Sequence, residues 1–170
     1  MEVYPLQQAL ASQPFGVPFG ARNVTAVNDG LCLVHGPQWT ASSPTPVTCG
    51  SADTTQSEYQ FVTPPGAVLT VRSVAIVEGA TTGATSAGDG VTFTARFRPL
   101  TGAAAQADSG ITAEIDLHTP AAAQGGGASI PSGQVCPYTT QGCRLMLRID
   151  TIDLGATDVD LQAVVFVTVS

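Results

Sequence analysis

The sequence contains no lysine, a single tryptophan and only 11% charged residues, and each shortage excludes a class of function. Grip on a nucleic-acid backbone or an anionic membrane needs clustered positive charge. Six arginines against 13 acidic residues, a net charge of −7, do not supply it. Neither nucleic acid nor membrane is an expected partner. Trp39 and three tyrosines are too few for an aromatic platform of the kind that stacks on sugars. No apolar run approaches the roughly 18 residues that cross a bilayer. Met1-Glu2-Val3-Tyr4-Pro5 has neither the basic start nor the hydrophobic stretch of a secretory signal, so synthesis in the cytosol is expected. An internal repeat is lacking, as is any amphipathic stretch long enough for a crossover helix, which argues against an α/β fold.

What is present is a chain of 170 residues, the length of one domain, 44% hydrophobic and rich in Ala (23), Thr (21), Gly (18) and Pro (12). Residues 1–21 include Gln13-Pro14-Phe15-Gly16-Val17-Pro18-Phe19-Gly20, a repeated Pro-Phe-Gly pattern that interrupts both helix and ladder hydrogen bonding. The segment reads as an extended N-terminal arm whose Phe15, Val17 and Phe19 bind a partner subunit. Residues 22–170 read as a single β-sandwich domain. Asn23 to Val27 and Leu31 to Val34 flank Asn28-Asp29-Gly30, which predicts a tight hairpin. Val91, Phe93, Ala95 and Phe97 alternate with Thr92, Thr94, Arg96 and Arg98 in the clearest amphipathic strand of the chain. Val68 to Glu78, Ile111 to Leu117, Leu145 to Ile152 and Leu161 to Val169 add further strands. The fold class is all-β, a β-sandwich or jelly-roll-like barrel, with Val71, Ile76, Val91, Phe93, Phe97, Ile115, Leu147, Val165 and Val167 in its core. Segments 36–57, 79–90, 101–110 and 119–134, the last holding Gly125-Gly126-Gly127, read as long surface loops.

Little in the chain points to chemistry. Cys32, Cys49, Cys136 and Cys143 form two pairs close in sequence. Cys136 to Cys143 would bridge the base of a strand connection and Cys32 to Cys49 would close the Pro-rich loop, with free buried thiols as the alternative. Cys32 and His35 lack the second tight pair of a structural zinc site, so no metal is expected. Asp150, Asp153, Asp158 and Asp160 surround a turn at Gly155-Ala156-Thr157 without the pattern of a calcium loop, and a charged strand edge that resists pairing is the favoured reading. His35 and His118 are the two imidazoles, the run Gly83 to Gly88 is no nucleophile elbow, and Glu114 with Asp116 is a carboxylate pair without a cleft. No catalytic residue, no cofactor and no enzymatic activity are expected. Asn23-Val24-Thr25 matches a glycosylation acceptor that a cytosolic chain would not use.

The Pro/Phe/Gly arm, the small all-β body and the long Gly/Ala/Thr loops together resemble, in layout, the capsid decoration or cement proteins of tailed bacteriophages. That resemblance implies a non-enzymatic structural protein, made in the host cytoplasm and carried on the capsid exterior of the virion. Its partner would be the major capsid protein lattice, which it would clamp as a homo-oligomer, often a trimer. The competing class is a carbohydrate-binding or adhesive β-sandwich, for which Trp39 and Tyr59 would have to stand exposed beside polar side chains.

Overall fold

The computed structural model describes residues 13–25, 31–35, 47–48, 61–82, 90–100, 107–116, 125–153 and 158–170. They form eleven strands: β1 (Phe15–Val24), β2 (Leu31–Cys32), β3 (Val34–His35), β4 (Val47–Thr48), β5 (Phe61–Thr63), β6 (Leu69–Thr82), β7 (Gly90–Pro99), β8 (Ala107–Asp116), β9 (Gly125–Val135), β10 (Cys143–Asp153) and β11 (Asp158–Val169). A five-stranded sheet runs β3-β1-β11-β6-β9 and a six-stranded sheet runs β4-β2-β10-β7-β8, with β5 pairing β10 beside β2. Every pairing is antiparallel.

The long strands and β2 pair from the outside of the chain inward: β1 with β11, β2 with β10, β6 with β9, and β7 with β8. A long antiparallel ribbon rolled so that β11 also meets β6 and β10 also meets β7 gives this order, which is that of a jelly roll. Rolling puts the apolar side of each strand inward. Val17, Phe19 and Ala21 of β1 meet Val91, Phe93, Ala95 and Phe97 of β7 and Leu145, Leu147 and Ile149 of β10 in one buried cluster. Of the predicted core, Val71, Ile76, Val91, Phe93, Phe97, Leu147, Val165 and Val167 are all buried, while the side chain of Ile115 lies outside the described set. On one side β8 lies against β9 and β6. On the other, Phe19 and His35 of the first sheet stack toward Phe61 and Phe15, with ring centroids 5.6 to 6.0 Å apart, so an aromatic seam joins β1 and β3 to β5.

Four local expectations are corrected. The segment 1–21 is not an arm throughout: from Phe15 it is strand β1, in register with β11 from Phe15↔Val167 to Ala21↔Leu161. Pro18 is tolerated at a sheet edge: among the described residues β3 pairs only with Phe19 and Gly20 on that side of β1. The predicted turn Asn28-Asp29-Gly30 lies outside the described residues; of its second flank, Leu31–Cys32 pairs with β10 and β4 instead of β1, and Val34 meets β1 at Gly20 and not at Asn23–Val27. Gly125-Gly126-Gly127 opens a strand instead of lying in a loop. At Gly127 a β-carbon would stand 2.9 Å from the carbonyl oxygen of Val74, so the close approach of β9 to β6 requires glycine there. Residues 107–110 and 79–82, read as loop, likewise extend β8 and β6.

Candidate interaction faces

With the inward positions filled by the core, the outward positions of each sheet are what the molecule shows to partners. On the five-stranded sheet these positions line up in rungs across four strands. Gly16, Phe166, Ser73 and Ser129 form one rung, Pro18, Val164, Ala75 and Gly127 the next, and Gly20, Gln162, Val77 and Gly125 hold the register positions of a third, in which Gly20 is buried and Gln162 exposed. None of the twelve carries a charge. Phe166 is 38% exposed and its ring lies beside Gly16, where a β-carbon would meet Val164 Cγ1 at 2.7 Å. Glycine at 16 therefore lets Val164 and Phe166 pack flat across the strand boundary. The field is bounded by charge at both ends. Arg22 Nε stands 3.6 Å from Asp160 Oδ2 at one end, and Arg72 at the other donates from Nη1 to the Ser132 carbonyl at 3.0 Å.

The six-stranded sheet is the opposite. Arg96 and Arg98 of β7 and Arg144 and Arg148 of β10 project outward, so four of the six arginines of the chain stand on two neighbouring strands. Arg144 is directly opposite Arg98, a like-charge pairing that is destabilising in itself. Arg144 Nη2 donates to the Leu100 carbonyl at 2.5 Å, and the Nε of Arg98 is buried without a hydrogen-bond partner. Asp150 gathers the other two: its Oδ1 lies 3.2 Å from Arg96 Nη2 and 3.9 Å from Arg148 Nε. Thr94 Oγ1 donates to Asp150 Oδ2, so the 3.0 Å contact between Thr94 and Thr112 must use the Thr112 hydrogen. Met146, between the arginines on the same outward side, is fully buried. Toward the other end exposed Glu114 of β8 stands opposite Thr92 and exposed Asp153 of β10 opposite Gly90, while Asp108 of β8 holds the register position opposite Arg96.

The residues singled out from sequence fall as follows. Val17 and Phe19 are each 2% exposed in the protein's own core, so they are unavailable to a partner. This corrects the reading of the arm, and its reason is the strand parity of β1: odd residues point inward, even residues outward. Phe15 alone stays open, at 42% exposure, against Phe61. Cys136 and Cys143 are joined by a disulfide with Cα atoms 6.5 Å apart, closing the turn between β9 and β10. Cys32 is also disulfide-bonded, and Cys49, the partner expected for it, lies outside the described residues. His35 sits half-buried in the aromatic seam, and burial lowers its pKa below 6.5. His118, Trp39, Tyr59 and the run Gly83 to Gly88 lie outside the described residues. Among the described residues no group of three or more His, Cys, Asp and Glu stands close enough to hold a metal ion. The chain matches no known family model and no curated protein.

Both faces escaped sequence reading for one reason. The outward residues of β10 and β7 show the two-residue spacing of a strand face, but their juxtaposition needs the strand order, which brings together segments about 50 residues apart.

Proposed function

We propose that the protein is a structural accessory of a viral shell, a capsid decoration protein that lies on the exterior of the assembled lattice and bridges neighbouring capsid subunits without catalytic turnover. The observation that carries this reading is the uncharged outer face of the five-stranded sheet. In a chain with 19 charged residues, three consecutive rungs on four strands have none. Strand and rung spacings make this field about 20 Å by 20 Å, or about 400 Å². Such a field is a sheet face built mostly of short uncharged side chains and glycines, so it suits a protein surface better than a small molecule, which needs a concave site. It also docks without stripping water from any ion.

Its size matters as well. About 400 Å² is half of what one partner contributes to a standard stable interface of roughly 1,600 Å². A single contact of this area is weak, whereas a repeating lattice offers many sites and favours the bound form by mass action. The jelly-roll order is shared by viral capsid domains and lectins, which supports the reading by analogy of fold only. With Val17 and Phe19 committed to the core, gripping is assigned to the sheet face, to which the segment first read as an arm contributes Gly16, Pro18 and Gly20.

The test starts from particles in which mass spectrometry detects the protein. Their shells are heated with and without it at saturating occupancy. A higher melting temperature with the protein supports cementing. Equal melting temperatures reject it, and loss of host attachment on removal of the protein would support the adhesive, sugar-binding class instead.

A further inference from the structure

Strand β1 carries one residue too many for its partner strand. Ala21 pairs with Leu161 and Val24 with Val159, so Arg22 and Asn23 together stand against Asp160 in a β-bulge. Asn23 takes the left-handed backbone conformation, at φ 51°, which asparagine adopts more readily than most side chains. By strand parity an odd residue of β1 faces the core, as Val17, Phe19 and Ala21 do. The extra residue instead turns Asn23 out into solvent and gives the inward position to Val24, which is fully buried. Asp160 holds the bulge: its Oδ1 accepts the backbone N–H of Asn23 at 3.1 Å, and its Oδ2 lies 3.6 Å from Arg22 Nε.

The residue presented in this way opens Asn23-Val24-Thr25, the acceptor pattern for an N-linked glycan. A chain uses that pattern only in the compartment that holds the transferase, and the cysteines carry information about compartment. Cys136 and Cys143 are bridged to each other, Cys32 is bridged as well, and none of the described cysteines is free. Disulfides form and persist in oxidising compartments and are rare where glutathione keeps thiols reduced. All three of these cysteines are fully buried, which shields their bridges from exchange and marks them as structural. From the exposed acceptor and the buried bridges together we infer that the protein matures in an oxidising secretory compartment and carries an N-linked glycan on Asn23. This departs from the cytosolic synthesis expected from Met1 to Pro5, under which the acceptor went unused.

The sugar donor is a lipid-linked oligosaccharide pyrophosphate, and the transferase belongs to the compartment. The side-chain amide nitrogen of Asn23 attacks the anomeric carbon of the first sugar. A C–N bond forms there as the C–O bond to the pyrophosphate breaks, the lipid pyrophosphate leaves with the bonding electron pair, and the amide gives up one proton to a base. Each disulfide forms separately, by exchange with an oxidised dithiol catalyst that takes up two electrons and two protons. The fold tolerates the added group because Asn23 is exposed and lies past the uncharged field, at its Arg22–Asp160 end. The inference does not rest on the shell-binding reading. If the chain does sit on a viral shell, the virus belongs to a host with such a compartment, and not to the bacterial host that the resemblance to decoration proteins implies.

The test is peptide mapping of the native protein, taken from the cells or particles that make it and alkylated before any reduction. Digestion with peptide-N-glycosidase in heavy-oxygen water should convert Asn23 to aspartate carrying the heavy oxygen. Asn28, the only other asparagine, lacks the pattern and should stay unchanged. All four cysteines should escape alkylation. In glycosylating cells that secrete the full chain, Thr25→Ala should remove the glycosidase-sensitive mass and Thr25→Ser, which keeps the hydroxyl, should retain it. Asn23→Gln should remove it too; if the left-handed bulge rejects glutamine and that variant fails to fold, the Thr25 pair still decides, since it leaves the bulge residues intact. An unmodified Asn23 peptide in the native protein, free thiols, or a glycan that survives Thr25→Ala would overturn the inference. A native chain without glycan that still raises the melting temperature of shells would sink it and leave the shell-binding reading standing.

Discussion

Along β11 the outward positions are Gln162, Val164 and Phe166, while along β10 they are Arg144, Met146 and Arg148, although both strands send aliphatic side chains into the same core. Folding treats the two strands alike, since each needs only an apolar inward side. The difference lies where folding is nearly indifferent, because an exposed position accepts a charge at little cost. That the five-stranded sheet accepts none over three rungs, while its counterpart concentrates arginine, points to contact with different surroundings. The inward and outward sides of a strand can thus be separated experimentally, with large stability effects on one and large association effects on the other.

Phe19→Ala removes a large side chain from the inward side of β1 and should cost about 3–5 kcal/mol in unfolding free energy, measured by denaturant titration. A loss below about 1 kcal/mol would mean that β1 does not belong to the core, and the arm reading would return. Replacing both Cys136 and Cys143 with Ser opens an eight-residue loop and should cost about 2.5 kcal/mol by chain entropy, on both sheets equally because the turn joins them. Asp150→Ala strips Arg96, Arg148 and Thr94 of their shared acceptor on the partly exposed face and should cost about 1–2 kcal/mol. By contrast, Val164→Glu with Phe166→Glu, at partly exposed positions, should cost about 1 kcal/mol, well below Phe19→Ala.

The smallest effect concerns His35. Burial lowers its folded pKa below the ordinary 6.5, so the unfolded chain binds the proton more readily. Its contribution to stability is full above pH 6.5 and is lost as the pH falls through 6.5 toward the folded value. His35→Gln should flatten that part of the pH profile. A profile unchanged in the variant would mean that the aromatic seam does not exclude water from the imidazole.

How much of this was legible in the sequence depends on where the information sits. Strand β7 announced itself, because Val91, Phe93, Ala95 and Phe97 alternate with polar residues and period two is a local signal. Strand β1 did not, since Pro14, Gly16, Pro18 and Gly20 are poor strand formers. They are accepted because Pro18 has no strand partner on its β3 side among the described residues and Gly16 makes room for Val164. The opening of β9 was hidden in the same way by Gly125-Gly126-Gly127, whose lack of side chains looks like a linker and serves a close strand approach. The close spacing of Cys136 and Cys143 suggested a pairing with free thiols as the alternative, and the Cα separation of 6.5 Å decides between them. The uncharged face was not visible, because its rungs join residues near positions 18, 75, 127 and 164, and only the register reveals that none of them is charged.

The most direct measurement is co-sedimentation with assembled shells from particles that carry the protein, comparing the wild-type chain, Val164→Glu with Phe166→Glu, and Asp153→Arg at matched thermal stability. If the uncharged face is the attachment surface, wild type and Asp153→Arg pellet with the shells and continue to do so in 0.5 M salt, while the double variant stays in solution. Undiminished pelleting of the Val164/Phe166 variant, or release of the wild type by salt, would contradict attachment through that face.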